Sequence, residues 1–142
     1  MTFRILSFCL LSALFVSCSD ELPIIEENIA GNWKFTAFEA NTPGLSPDII
    51  DAAKQEALSI SYILKTDHRA YMSSIYYTEG QSGAWNLNEE TRTIQLDSQF
   101  EGEDVSENFL VTSVTPTKME WQQVLVGIGE LSFVLEKHIA KQ

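Results

Sequence analysis

Between Ile29 and Leu135 the chain is written in short runs of alternating apolar and polar residues, each closed by turn chemistry, and that period of two leaves few folds open. The first run, Ile29 to Phe38, puts Ile29, Trp33, Phe35 and Ala37 on one face. Ser59 to Lys65 shows Ile60, Tyr62 and Leu64 on one side, and Thr66-Asp67-His68 turns it into Arg69 to Tyr77, read with Tyr71 and Ile75 inward. Ser82 to Leu87 carries Trp85 and Leu87 inward; Asn88 to Thr91 then turns the chain into Arg92 to Asp97, with Ile94 and Leu96. A polar acidic link, Glu101-Gly102-Glu103-Asp104, leads to Asn108 to Thr115, where Phe109 and Val111 fall out of step with Val114 and predict a bulge. Runs around Met119, Trp121 and Gln123 and around Leu131, Phe133 and Leu135 complete the series.

One segment has a different character. Asn41, Pro43 and Gly44 make a loop, Ser46 is an N-cap residue, Pro47 suits the first helical position and Asp48 faces the positive end of the dipole, so a helix is predicted to about Leu58. Its narrow stripe of Ile49, Ile50, Ala53 and Ala57 suits a helix lying on a rim. Short links between eight strands imply sequential antiparallel pairing, and closing the sheet removes the edges that invite aggregation. The expected fold is therefore all-β: an eight-stranded antiparallel up-and-down barrel over residues 29–142, with one helix between strands 1 and 2. An open sandwich of the same strands is the alternative.

Ahead of this domain, Arg4 is followed by an apolar run from Ile5 to Val16 broken only by Ser7 and Ser12, the pattern of a signal peptide over residues 1–17. As a helix the run would reach roughly 18 Å, short of the ~30 Å hydrocarbon core. Leu14-Phe15-Val16-Ser17-Cys18 resembles a lipobox, with Phe15 standing where such boxes usually carry leucine. That resemblance implies cleavage before Cys18 and a membrane anchor through lipid on its sulfur, an attachment strengthened by about 0.8 kcal/mol per buried CH₂. No aspartate follows Cys18 directly; Ser19, Asp20 and Glu21 do, which favours delivery to the outer membrane, on its periplasmic face or at the cell surface. Residues 18–28 read as an acidic tether, with Ile24 and Ile25 able to pack on the domain's rim.

The formal charge of −11, made one unit more negative by removal of Arg4, argues against a nucleic-acid partner. Cys9 leaves with the signal peptide and Cys18 is committed to lipid, so no disulfide is expected and packing must stabilise the fold.

Gly31-Asn32-Trp33 matches the G-x-W of the lipocalins, and Gly83-Ala84-Trp85-Asn86-Leu87 with Ile94-Gln95-Leu96 is similar to a hairpin often found in lipocalin-like domains of bacterial lipoproteins. The resemblance covers Ile29 to about His138. It implies that Gly31, Trp33 and Lys137 form the barrel base, with Lys137 as the cation stacked on the tryptophan where the family usually has arginine.

Reactive chemistry is sparse. His68 and His138 stand alone; Glu101, Glu103, Asp104 and Glu107 lack the frame of a calcium loop; Glu89 and Glu90 share a turn; and no G-x-S-x-G or phosphate-binding glycine loop is present. The reading is of a non-enzyme without metal or cofactor. What remains is the barrel interior, where Phe35, Tyr62, Tyr71, Ile75, Trp85, Phe109, Met119 and Trp121 are the candidate ligand-binding residues and Ser73, Gln99 and Gln123 the polar groups able to orient a guest. Two functions follow: binding of a small apolar or amphipathic molecule, or, with the interior filled, docking of a protein partner as an accessory subunit.

Overall fold

The computed structural model describes residues 20–138; Cys18 and the segment read above as a signal peptide lie outside them. The eight strands are β1 (Gly31–Asn41), β2 (Ser61–Leu64), β3 (Arg69–Ser74), β4 (Tyr77–Asn88), β5 (Thr93–Phe100), β6 (Glu103–Val114), β7 (Lys118–Leu125) and β8 (Gly129–Lys137). Each pairs antiparallel with the next, and β8 pairs with β1, so the sheet is a closed up-and-down barrel. A short helix, α1 (Glu26–Ile29), precedes β1, and α2 (Pro47–Ser59) joins β1 to β2.

Turn chemistry sets the pairing. Glu101 and Gly102 take φ of 51° and 86°, the two left-handed residues of a tight hairpin turn, so β5 and β6 pair from Phe100 and Glu103 onward. The acidic stretch expected as a link is thus only two residues of turn, and Glu103 and Asp104 already belong to β6. At the other end of this hairpin, the Asn88 side-chain oxygen accepts the Thr91 N–H at 3.0 Å and shapes the β4–β5 turn.

Three residues expected inward, Tyr71, Ile75 and Ala37, lie outside the core. Leu64 is buried and pairs with Ala70, and Tyr62 pairs with Met72; paired residues share a face, so Tyr71 falls opposite Ile63 on the outside. Tyr71 is 36% exposed there, with the Lys65 ammonium 4.9 Å from its ring centroid, and Ile75 is 75% exposed in the β3–β4 turn. On β1 a register shift between Phe35 and Ala37 brings Phe38 into the core and turns Ala37 out. The expected bulge in β6 falls between Val111 and Ser113 and keeps Phe109, Val111 and Val114 all buried.

The interior has two unequal halves. At the end holding the β2–β3, β4–β5 and β6–β7 turns, here the base, Trp33, Trp85, Met119, Trp121 and Leu135 fill the barrel. Trp33 donates its indole N–H to Ile29 O at 2.7 Å, and Lys137 Nζ lies 5.2 Å from the Trp33 ring. A side chain at Gly31 would place its Cβ 2.8 Å from Lys137 Cε, so glycine leaves the lysine stem room to cross the indole. From Leu22 on, the stretch expected as an acidic tether is docked at this base: Leu22 N–H bonds Val114 O at 2.8 Å, Leu22 and Ile24 pack on the core, the latter as its sequence allowed, and the following Ile29 is fully buried.

Candidate functional site

At the opposite end, the mouth, the side chains stop short of filling the barrel. A cavity of about 240 Å³ remains, reaching from the aromatic floor to the C-terminal turn of α2. The floor is built by strand alternation: Phe35 from β1, Tyr62 from β2, Phe109 from β6 and Phe133 from β8 all point inward. Phe35 meets Tyr62 and Phe133 at centroid distances of 5.7 and 5.1 Å, and Phe109 lies 5.9 Å from Phe133. These rings fix one another in place, so the floor is preformed.

Beneath them lies Trp121, fully buried and 4.9 Å from Phe109 centroid to centroid, with its indole N–H lacking an acceptor among the described residues. An unpaired buried donor costs about 1–3 kcal/mol, a penalty carried directly under the cavity.

The roof and wall mix polar side chains with Ala57, Ile60, Met72 and Val105. Helix α2 lies on the mouth with Ala57 buried and Ile50 and Ala53 packed on the core, while Ile49 is exposed at 55%. Its end is tied to β3 by a 2.7 Å hydrogen bond between the Ser59 and Ser74 hydroxyls. Glu56 from this helix and Glu107 from β6 both face the cavity, together with Gln81, Ser98 and Gln123. Glu107 is half-buried, and burial first, then the charge of Glu56, raises its pKa above the ordinary glutamate range. Burial raises the Tyr62 phenol well above the usual tyrosine value, with Glu107 adding to the effect.

Relative to the unfolded chain, the fold therefore shifts Glu107 toward its protonated form. Folding takes up a proton between the unfolded glutamate value, ~4.3, and the higher folded value, so stability falls as pH rises through that window and stays lowered above it. Glu107→Gln is expected to melt higher than wild type by a few degrees at pH 7–8 and to lose that advantage below about pH 4. Thermal melts across pH check this; no gain at neutral pH would show that Glu107 is comfortably solvated.

Of the interior residues named from sequence, Phe35, Tyr62 and Phe109 line the cavity, whereas Trp85, Met119 and Trp121 belong to the filled half and Tyr71 and Ile75 to the outer surface. Gln123 faces the cavity; Ser73 is exposed, and Gln99 is exposed with its amide donating to Asp104 Oδ1 at 3.0 Å. Glu107 is one of several lining residues, with Glu56, Met72, Gln81 and Ser98, that sequence reasoning missed. It looked like part of a solvated acidic loop, although Val105, Glu107, Phe109 and Val111 alternate without a break.

A more open groove of about 450 Å³ runs over β4, β5 and β6, lined by Ser82, Asp97, Asp104 and Ser106 among others, without an aromatic ring. It lacks the apolar enclosure of the mouth. Among the described residues no group of three or more His, Cys, Asp or Glu side chains is placed to hold a metal ion, and no helix is long and apolar enough to cross a membrane. No protein-family model matches the chain, and no curated protein matches it.

Proposed function

We propose that the protein is a lipid-anchored outer-membrane lipoprotein whose lipocalin-like barrel binds a small apolar or amphipathic molecule in its mouth. The observation that carries the binding reading is the contrast between the two halves of one interior: a base packed solid and a mouth left open over an aromatic floor. At about 240 Å³ the cavity is below the 300–1,000 Å³ range typical of drug-sized guests, so it suits a small molecule or one end of a longer one. Protein extracted gently from its own membranes should carry such a guest in native mass spectrometry, and a mass equal to the lipidated polypeptide alone would count against the reading.

The anchor rests on the lipobox-like Leu14 to Cys18 and on chain length. Leu22 is bonded at the base, four residues after Cys18, a span of at most roughly 14 Å. Lipid on Cys18 would hold the base near the membrane and turn the mouth away from it. Cys18→Ala is expected to lose the acyl mass and move to the soluble fraction; a variant that stays with the membrane would overturn the anchor.

A second reading, an accessory subunit of a surface or periplasmic complex, is favoured by exposed apolar residues at the mouth: Val124, Val126 and Ile128 around the β7–β8 turn, and Ile75 and Tyr76 in the β3–β4 turn. Crosslinking in intact cells separates the two, since a solitary carrier yields no reproducible partner and a docked subunit does.

A further inference from the structure

The charge of the cavity says more about its guest than its size does. Glu56, exposed, and Glu107, half-buried, line it from two different elements, α2 and β6, and none of the described lining residues is basic. Four aromatic rings, Phe35, Tyr62, Phe109 and Phe133, form the floor, and the faces of such rings carry partial negative charge. Two carboxylates lining the same pocket as these rings, one of them half-buried, make a negative site with no basic residue among its described lining, and the chain's net charge of −11 adds a field of the same sign.

An anionic guest such as a fatty acid would meet two like charges and no donor cation. A neutral guest would leave Glu107 unpaired, which the raised pKa of that carboxyl records as a cost. A guest with an ammonium head would pair with Glu107, offset that cost and rest its apolar body against the rings.

We infer that the guest is a small organic cation, an amine with an apolar body, held by its ammonium between Glu107 and Glu56 and by its hydrocarbon on the aromatic floor. This rests on the reading of the mouth as a binding site and narrows it to one charge class. An engineered apolar cavity of 150 Å³ accommodates benzene, so about 240 Å³ is enough for a phenyl ring with a two-carbon arm or for a short alkyl chain.

The test uses isosteric probes on the purified, delipidated wild-type chain: 2-phenylethylamine, 2-phenylethanol and phenylacetate, with hexylamine, hexanol and hexanoate as a second series. Binding at pH 7.5 is read by tryptophan emission, because Trp121 lies directly beneath the floor, and confirmed by calorimetry. In at least one series the amine should bind tenfold or more tighter than the alcohol, with the acid weakest, and Glu107→Gln should shrink the amine's advantage over the alcohol severalfold, the remaining Glu56 keeping part of it. Circular dichroism verifies that the variant is folded. If the alcohol or acid binds as well as the amine, or if Glu107→Gln leaves the preference intact, the cation inference falls while the binding reading stands. If no member of either series binds at millimolar concentration, both fall.

Discussion

Replacing Trp33 by alanine is expected to remove about 3–5 kcal/mol of folding stability, the usual range for truncating a buried tryptophan. A domain of this size has roughly 5–15 kcal/mol in total, so the variant should melt on the order of 10 °C lower or more. Three losses coincide at one residue: a fully buried indole, its 2.7 Å hydrogen bond to Ile29 O, and the face on which Lys137 rests. The bond matters because Ile29 ends α1, and α1 covers the base. Without it the docked segment from Leu22 to Ile29 should exchange its amide protons faster, which hydrogen exchange would detect. Lys137→Gln, which removes only the charge above the ring, should cost less than about 1 kcal/mol. If the two variants were equally destabilised, the base would owe its stability to the cation rather than to packing.

Gly83→Ala is the second large effect. A Cβ at this position would stand 2.0 Å from Asp97 O and 3.1 Å from its carbonyl carbon, which are backbone atoms of the neighbouring strand. No rotamer relieves a collision with backbone. Strands β4 and β5, registered through Gly83 and Ser98, must separate locally or shift. Overpacking of this kind costs typically 1–3 kcal/mol and occasionally more, and the absence of a flexible neighbour places Gly83→Ala at the upper end. Urea unfolding should show a lower midpoint with an unchanged slope if the barrel still forms. A midpoint within a few tenths of molar of wild type would mean that the two strands are not held this close.

The ring of strands was legible because its cause is local: alternation marks each strand, and short polar turns dictate antiparallel neighbours. The facing of individual strands was less legible because it depends on pairing across the turn. Tyr71 and Ile75 share a parity with each other and look inward by size, yet the β2–β3 turn sets Leu64 against Ala70 and sends Tyr71 outside, while Ile75 falls beyond β3 in the exposed β3–β4 turn. A small residue inside and a large one outside is the arrangement that hydrophobicity alone misreads. Ala37 was misjudged for another non-local reason, since the bulge that exchanges it for Phe38 arises in pairing with β8, almost a hundred residues away.

The candidate site was half readable. Phe35, Tyr62 and Phe109 followed from alternation, but nothing in sequence told that Trp85, Met119 and Trp121 would fill the base while the mouth stayed open. That division depends on where each strand sits along the barrel axis. Glu107 was hidden by its neighbours: beside Glu101, Glu103 and Asp104 it resembled surface charge, and only the tight Glu101-Gly102 turn lets β6 begin early enough to carry it inside. A charged residue at an inward position of an otherwise apolar alternation is the signal that could have found it.

The container is tested most directly by comparing wild type with Ala57→Trp, both extracted from the same cells and weighed by native mass spectrometry. Ala57 is buried at the roof of the cavity, so an indole there would occupy the space over the floor without touching the packed base. A small guest on the wild-type barrel and none on the filled variant, at comparable melting temperature, is the predicted result. The same guest on both would mean that it binds elsewhere, and the mouth would not be the site.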